Sequence, residues 1–135
     1  AIAVEVIRRK LAAAGGSAKI SKLRGAPFTA QLTDDGVRVD NLGTQPDLPW
    51  AVFREAVALL IRNGGQASRG DAMQGKLGDE RLPLNSVEGH IAYAVYGRRL
   101  GDSVFRRITP IVCVLIWAGL CEAAVGRVIL PTFGR

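Results

Sequence analysis

The sequence has little of the chemistry that metal sites and many catalytic sites require. It contains one histidine, His90, and two cysteines, Cys113 and Cys121, which lack CxxC spacing. One histidine cannot form a histidine-based catalytic pair or metal set, and zinc sites need clustered ligands. Glycine-rich phosphate loops of the Walker or Rossmann type are also missing. We therefore expect no cofactor, no metal and no enzymatic activity, although catalytic residues outside this sequence stay an open alternative.

Long hydrophobic runs are missing as well. The longest, Pro110 to Cys121, is shorter than the roughly 20 residues that cross a bilayer. The first residues lack the order of basic, apolar and cleavage regions that marks a signal peptide. We interpret Cys113 as a core residue and both cysteines as reduced thiols, with their pairing as the alternative. These features predict a cytoplasmic protein without a membrane segment, associated with the nucleoid when bound to DNA.

The composition is that of a globular protein with a basic surface. The chain has 135 residues, of which 48% are hydrophobic and 22% charged, and its formal net charge is +6. This length fits one domain, or one domain with a small annex. The excess of lysine and arginine favours an anionic partner, and nucleic acid is the first candidate.

Residues 1–47 are predicted to form an annex of one helix and one β-hairpin. Apolar residues at helical spacing indicate a helix that Gly15-Gly16 ends: Val4, Ile7 and Leu11. Apolar and polar residues then alternate on both sides of Asp34-Asp35-Gly36, which is a strong hairpin signal. The basic residues between these elements are interpreted as a flexible linker, with an auxiliary phosphate contact as the less favoured alternative: Lys19, Lys22 and Arg24.

Residues 48–135 are predicted to begin with a helix and a glycine-rich insert. Residues 43–49 form a loop, and Pro49 opens the helix, where its missing N–H does no harm. The inner face of this helix is predicted from five apolar residues: Trp50, Phe53, Val57, Leu60 and Ile61. The insert at residues 65–84 has no clear pattern, apart from a candidate short helix around Asp71 to Leu77.

Two further helices and a hairpin are predicted after this insert. Asn85 is the candidate cap of a helix over Val87 to Tyr96, with Glu88 completing a capping box. After a turn at Gly97, a second helix is predicted over Ser103 to Ala118. Pro110 lies inside it, so the helix either kinks there or begins afresh with Thr109 as its cap. Two short strands are predicted to follow: Leu120 to Glu122 and Val128 to Leu130.

This order of elements resembles the winged helix-turn-helix superfamily. In that family one helix packs behind, a second leads through a glycine-containing turn to a recognition helix, and a hairpin forms the wing. The resemblance covers about the last fifty residues. It implies an α+β fold with a winged helix-turn-helix core, to which the N-terminal helix and β-hairpin are an annex. The domain over 48–135 then carries the insert at 65–84.

The resemblance implies a module that recognises duplex DNA, sequence-specifically or according to base modification. Its host would be a larger protein such as a transcription regulator or a restriction-type nuclease. Arg106 and Arg107 would contact bases, and Arg98 and Arg99 phosphates. Ser103 would donate to a phosphate or act only as a cap, and Arg127 would enter a minor groove from the wing. The alternative is a winged helix for protein–protein interaction or dimerisation, and either version allows a homodimer or attachment to a larger chain.

Overall fold

The computed structural model describes residues 2–131, which form an α+β fold and confirm the predicted class. Over this range the chain has four helices and seven strands in two antiparallel sheets. In chain order these are α1 (Ile2–Ala13), β1 (Ser17–Ile20), β2 (Phe28–Leu32), β3 (Gly36–Val39), β4 (Asp47–Pro49), α2 (Trp50–Arg62), β5 (Gln66–Ser68), α3 (Val87–Ala94), α4 (Ile108–Trp117), β6 (Glu122–Ala124) and β7 (Arg127–Ile129).

The first sheet is a meander in the order β1-β2-β3-β4. The predicted hairpin is confirmed as β2 and β3, with Ala30 opposite Val39 and Leu32 opposite Val37. The strands β1 and β4 were not predicted. The linker interpretation is therefore wrong at β1, and the loop predicted over residues 43–49 is wrong at β4. In β1 the fully buried side chain is Ile20, and in β4 it is Leu48. With one buried side chain each, these strands show no alternation of apolar and polar residues in the sequence.

The second sheet joins distant segments in the order β5-β7-β6. The predicted C-terminal hairpin is confirmed as β6 and β7, but β6 begins at Glu122 rather than at Leu120. Arg127 lies in β7, paired with Ala124 on one side and Ser68 on the other, and not in the turn. The unpredicted strand β5 therefore ties the end of α2 to this hairpin.

The helix α3 begins differently from its prediction. Ser86, not Asn85, is the cap, and its Oγ accepts the Gly89 N–H at 3.1 Å. The same hydroxyl donates to the Pro83 carbonyl at 2.6 Å. Glu88 does not reach back to complete a capping box, because its side chain points inward and is only 1% exposed. The helix ends at Ala94, two residues before its predicted end.

Replacing the true cap should destabilise the fold, whereas replacing the predicted cap should not. Ser86→Ala removes two buried hydrogen bonds and should lower the free energy of unfolding by about 1–2 kcal/mol. Asn85 is exposed and accepts only from Asn63 Nδ2, at 3.1 Å. Asn85→Ala should therefore cost less than about 0.5 kcal/mol. Urea denaturation of both variants tests this, and equal losses would contradict the assignment.

The helix α4 begins at Ile108, so its predicted start at Ser103 is wrong. Residues 102–107 approach it as irregular chain, with Arg107 as the cap residue. Pro110 is the third helical residue, where its missing N–H is harmless. The prediction that the helix begins afresh near Pro110 is thus closer, although Thr109 lies inside the helix and is not its cap. The rest of α4 is almost wholly buried, as the prediction of a core helix requires: Ile111 to Leu115 are at most 4% exposed.

One hydrophobic core joins the two parts of the chain. The same cluster contains Ile7 from α1, Val39 from β3, Phe53 from α2 and Ile111 from α4. One residue of the predicted inner face of α2 is misplaced, because Ile61 is 64% exposed. The candidate helix around Asp71 to Leu77 is also wrong, since this stretch forms turns.

Candidate nucleic-acid interface

The carboxylate of Glu88 connects α3 to the start of α4. Its Oε1 accepts the backbone N–H of Arg107 at 2.8 Å. A helix begins with N–H groups that lack partners inside the helix, and this buried side chain supplies one. The backbone N–H of Glu88 in turn donates to the carbonyl of Arg69 at 3.0 Å. Residue 88 therefore holds together three segments that approach the same surface.

Burial makes this carboxylate easy to protonate. It raises the pKa of Glu88 to about 7, and the backbone N–H groups of Arg107 and Ile108 oppose the rise. The positive charges of Arg107 and Arg106 also favour the ionised form, but they do not outweigh the loss of hydration. The start of α4 thus carries a group that changes charge near neutral pH.

A cavity of about 540 Å³ lies beside the start of α4, and we call it the basic cavity. Its walls come from the β1–β2 loop, the end of β5, the first residues of α4 and the β6–β7 turn. Its lining holds four cationic side chains and no carboxylate: Lys22, Arg24, Arg69 and Arg106. Its other lining residues are small or apolar, namely Leu23, Thr109, Cys113, Ala124, Val125 and Gly126. The arrangement is suited to an anionic ligand.

A second cavity of about 570 Å³ adjoins the first and shares Arg69, Arg106 and Gly126 with it. This mixed cavity also contains Arg81 and carboxylates from Asp71 and Glu80. The Asp71 carboxylate already accepts the backbone N–H groups of Met73 and Gln74, which fixes a tight turn. Arg69 and Arg106 therefore lie where the two cavities meet.

Arg69 and Arg106 form a like-charged pair at this junction. The pKa of Arg69 lies below its usual range because the side chain is half-buried, and the charge of Arg106 lowers it further. Within residues 2–131 neither arginine forms a salt bridge. The nearby Glu88 charge partly offsets the repulsion between the two guanidinium groups. An anion bound between them would relieve the rest.

Of the predicted site residues, Arg107 is turned away from this surface. It is only 9% exposed, and its guanidinium lies 3.7 Å from the Tyr96 ring centroid and 4.8 Å from that of Phe105. Its Nη2 also donates to Gln45 Oε1 at 2.6 Å. These contacts attach the start of α4 to the loop before β4. The expectation that Arg107 faces a reading surface is therefore not met.

The remaining predicted residues are spread over separate places. Arg98 and Ser103 are exposed and line a small cavity of about 220 Å³, together with Arg107. Arg99 is exposed, and its backbone N–H donates to Asp102 Oδ2 at 2.8 Å. Arg127 is exposed on β7, where its Nε donates to Gln66 Oε1 at 2.9 Å. Of the predicted set, only Arg106 reaches the basic cavity.

Sequence reasoning missed Arg69 altogether and favoured a linker role for Lys22 and Arg24. Arg69 belongs to an Arg-Gly-Asp triplet that carries no local signal for a binding site. It reaches the interface because β5 pairs with β7, and its backbone N–H donates to the Gly126 carbonyl at 3.0 Å. Lys22 and Arg24 lie in the irregular loop between β1 and β2, as the linker interpretation predicted, and this loop lines the basic cavity.

Metal-ligand clusters, membrane-spanning helices or disulfide bonds would each indicate a different functional class. Residues 2–131 contain no group of three or more histidine, cysteine or acidic residues arranged to hold a metal ion. The longest helix in that range has 13 residues, and none there combines the length and apolar character that a bilayer crossing needs. Both cysteines are buried and unpaired. A comparison with known proteins finds no matching family model, no similar curated protein and no similar solved structure.

Proposed function

We propose that this chain is a duplex DNA-binding module whose interface is the basic cavity and its junction with the mixed cavity. The observation that carries the proposal is the set of four cationic side chains, without a carboxylate, beside the start of α4. Duplex DNA is bound first through its phosphates, and arginine and lysine supply that affinity. Arg69 and Arg106 are the central contacts of this interface.

The order of elements supports a winged-helix version of this module. α2 packs behind, residues 95–107 connect α3 to α4 and contain Gly97, and β6 and β7 form a hairpin. In helix-turn-helix proteins the first residues of the second helix contact base edges. Arg106 precedes α4 by two residues, and it is the exposed arginine nearest to that position in the chain.

In this proposal the turn of the β6–β7 hairpin is the wing tip. Val125 is fully exposed at this turn and also lines the basic cavity. In this proposal Arg127 contacts the DNA backbone beside the tip, while Arg98, Arg99 and Ser103 contact phosphates farther along the duplex. Arg107 supports the start of α4 and does not contact DNA.

A direct titration tests the proposal. We expect fluorescence polarisation of a labelled duplex of about 20 base pairs to report binding at about 50 mM salt, with weaker binding at 200 mM. A single strand of the same sequence and a double-stranded RNA serve as comparators. The proposal is wrong if the duplex does not bind at low salt. Tighter binding of the double-stranded RNA would indicate that the ligand is RNA and not DNA.

A further inference from the structure

The loop between β1 and β2 brings charge from the N-terminal sheet into the basic cavity. Lys22 and Arg24 lie on this loop, and both line the cavity, as does Val125 of the β6–β7 turn. The loop is separated in sequence from Arg69 and Arg106 by more than forty residues, so only the fold assembles the four cations. The N-terminal sheet thus forms one wall of the same surface.

The cations of this cavity form no salt bridge within the described residues, although the nearby Glu88 charge favours the charged form of Arg69. Other arginines of the chain, such as Arg8, Arg9 and Arg38, do form salt bridges. Like charges that converge on one cavity are costly unless an anion occupies it. The lack of salt bridges leaves these cations available to an anionic ligand.

The residues that line the cavity indicate which kind of anion it can bind. Its lining combines the cations with the apolar side chains of Leu23 and Val125, which are 60% and 100% exposed. A backbone phosphate of DNA carries its charge between two sugars that present apolar C–H surface. A free inorganic anion offers no such surface to the two apolar residues.

We infer that the basic cavity binds adjacent backbone phosphates of the duplex, and that Lys22 and Arg24, on the loop of the N-terminal sheet, contact these phosphates together with Arg69 and Arg106. This inference rests on the proposed function and adds a second wall to its interface. It makes the N-terminal sheet part of the DNA-binding surface.

The double variant Lys22→Gln/Arg24→Gln tests the inference in a duplex titration. Each phosphate contact contributes roughly tenfold to affinity at about 0.1 M salt, so this variant should bind about 50- to 100-fold more weakly. Its slope of log affinity against log salt should also shrink by about two. The loss should be equal for unrelated duplex sequences, since a phosphate carries no sequence information.

The matched control is Lys19→Gln/Arg62→Gln, which removes the same charge from exposed residues outside the described cavities. This control should change the slope of log affinity against log salt by less than Lys22→Gln/Arg24→Gln does. Thermal unfolding identifies any variant that fails to fold, and in that case Arg24→Gln alone, at an exposed position, carries the test. If the wild-type chain binds duplex but the cavity variant behaves as the control does, the inference is overturned and the proposed function stands. If the wild-type chain does not bind, the proposed function itself fails.

Discussion

Replacing Arg69 and Arg106 together with alanine is expected to reduce affinity for duplex DNA by about two orders of magnitude at about 0.1 M salt. Both guanidinium groups line the basic and the mixed cavity, and neither forms a salt bridge within the described residues. Loss of two phosphate contacts accounts for most of this effect, and loss of a base contact by Arg106 would add about 1–3 kcal/mol.

The double variant should remain folded, which separates binding from stability. Arg69 is half-buried next to a like charge, so truncating it removes repulsion as well as packing. The hydrogen bond that its carbonyl accepts from the Glu88 N–H involves only the backbone and is retained. The control is Arg54→Ala/Arg62→Ala, two exposed arginines of α2 that line no described cavity. Similar affinities for the two double variants would rule out this cavity as the interface.

The second large effect is expected at Glu88, where stability should depend on pH. The pKa of Glu88 is about 7 in the folded state, against an ordinary value of 4.5. An acid whose folded pKa is raised binds its proton more tightly in the native state, so stability falls as pH rises between these values. The full difference is roughly 3 kcal/mol, present below about pH 4.5 and lost by about pH 7.

The variant Glu88→Gln should remove this dependence. Glutamine keeps an oxygen that can accept the Arg107 N–H but does not ionise. The unfolding free energy of the wild type should therefore fall relative to that of Glu88→Gln by about 2.5 kcal/mol between pH 5 and pH 8. Glu88→Ala leaves the buried Arg107 N–H without a partner and should cost about 1–3 kcal/mol at pH 5. Urea denaturation across this range checks both, and parallel pH profiles for wild type and Glu88→Gln would contradict the burial argument.

Local patterns predicted the parts of the fold that are set by local chemistry. Apolar spacing predicted α1, and alternation around Asp34-Asp35-Gly36 predicted the hairpin of β2 and β3. The same reasoning predicted that α4 begins at Ser103, because residues 103–107 contain no strong helix breaker. The segment 102–107 stays irregular, with the Arg107 N–H paired to Glu88, a contact between residues nineteen apart.

The candidate interface was harder to predict because pairing between distant strands assembles it. Arg69 and Gly126 are fifty-seven positions apart, and only the pairing of β5 with β7 brings them together. Glu88 is different, since a usable signal was present. It lies three residues before Ile91, on the face of α3 that is buried, so helical spacing alone places its side chain inside.

The salt dependence of duplex binding tests the central claim most directly. Polarisation titrations of the wild type and of Arg69→Ala/Arg106→Ala, between about 50 and 200 mM salt, give the slope of log affinity against log salt for each. The account predicts a steep slope for the wild type, with a magnitude of at least about 4 when all four cations of the basic cavity contact phosphates. The magnitude should be smaller by about two for the variant. Absence of duplex binding by the wild type, or equal slopes for the two proteins, would contradict it.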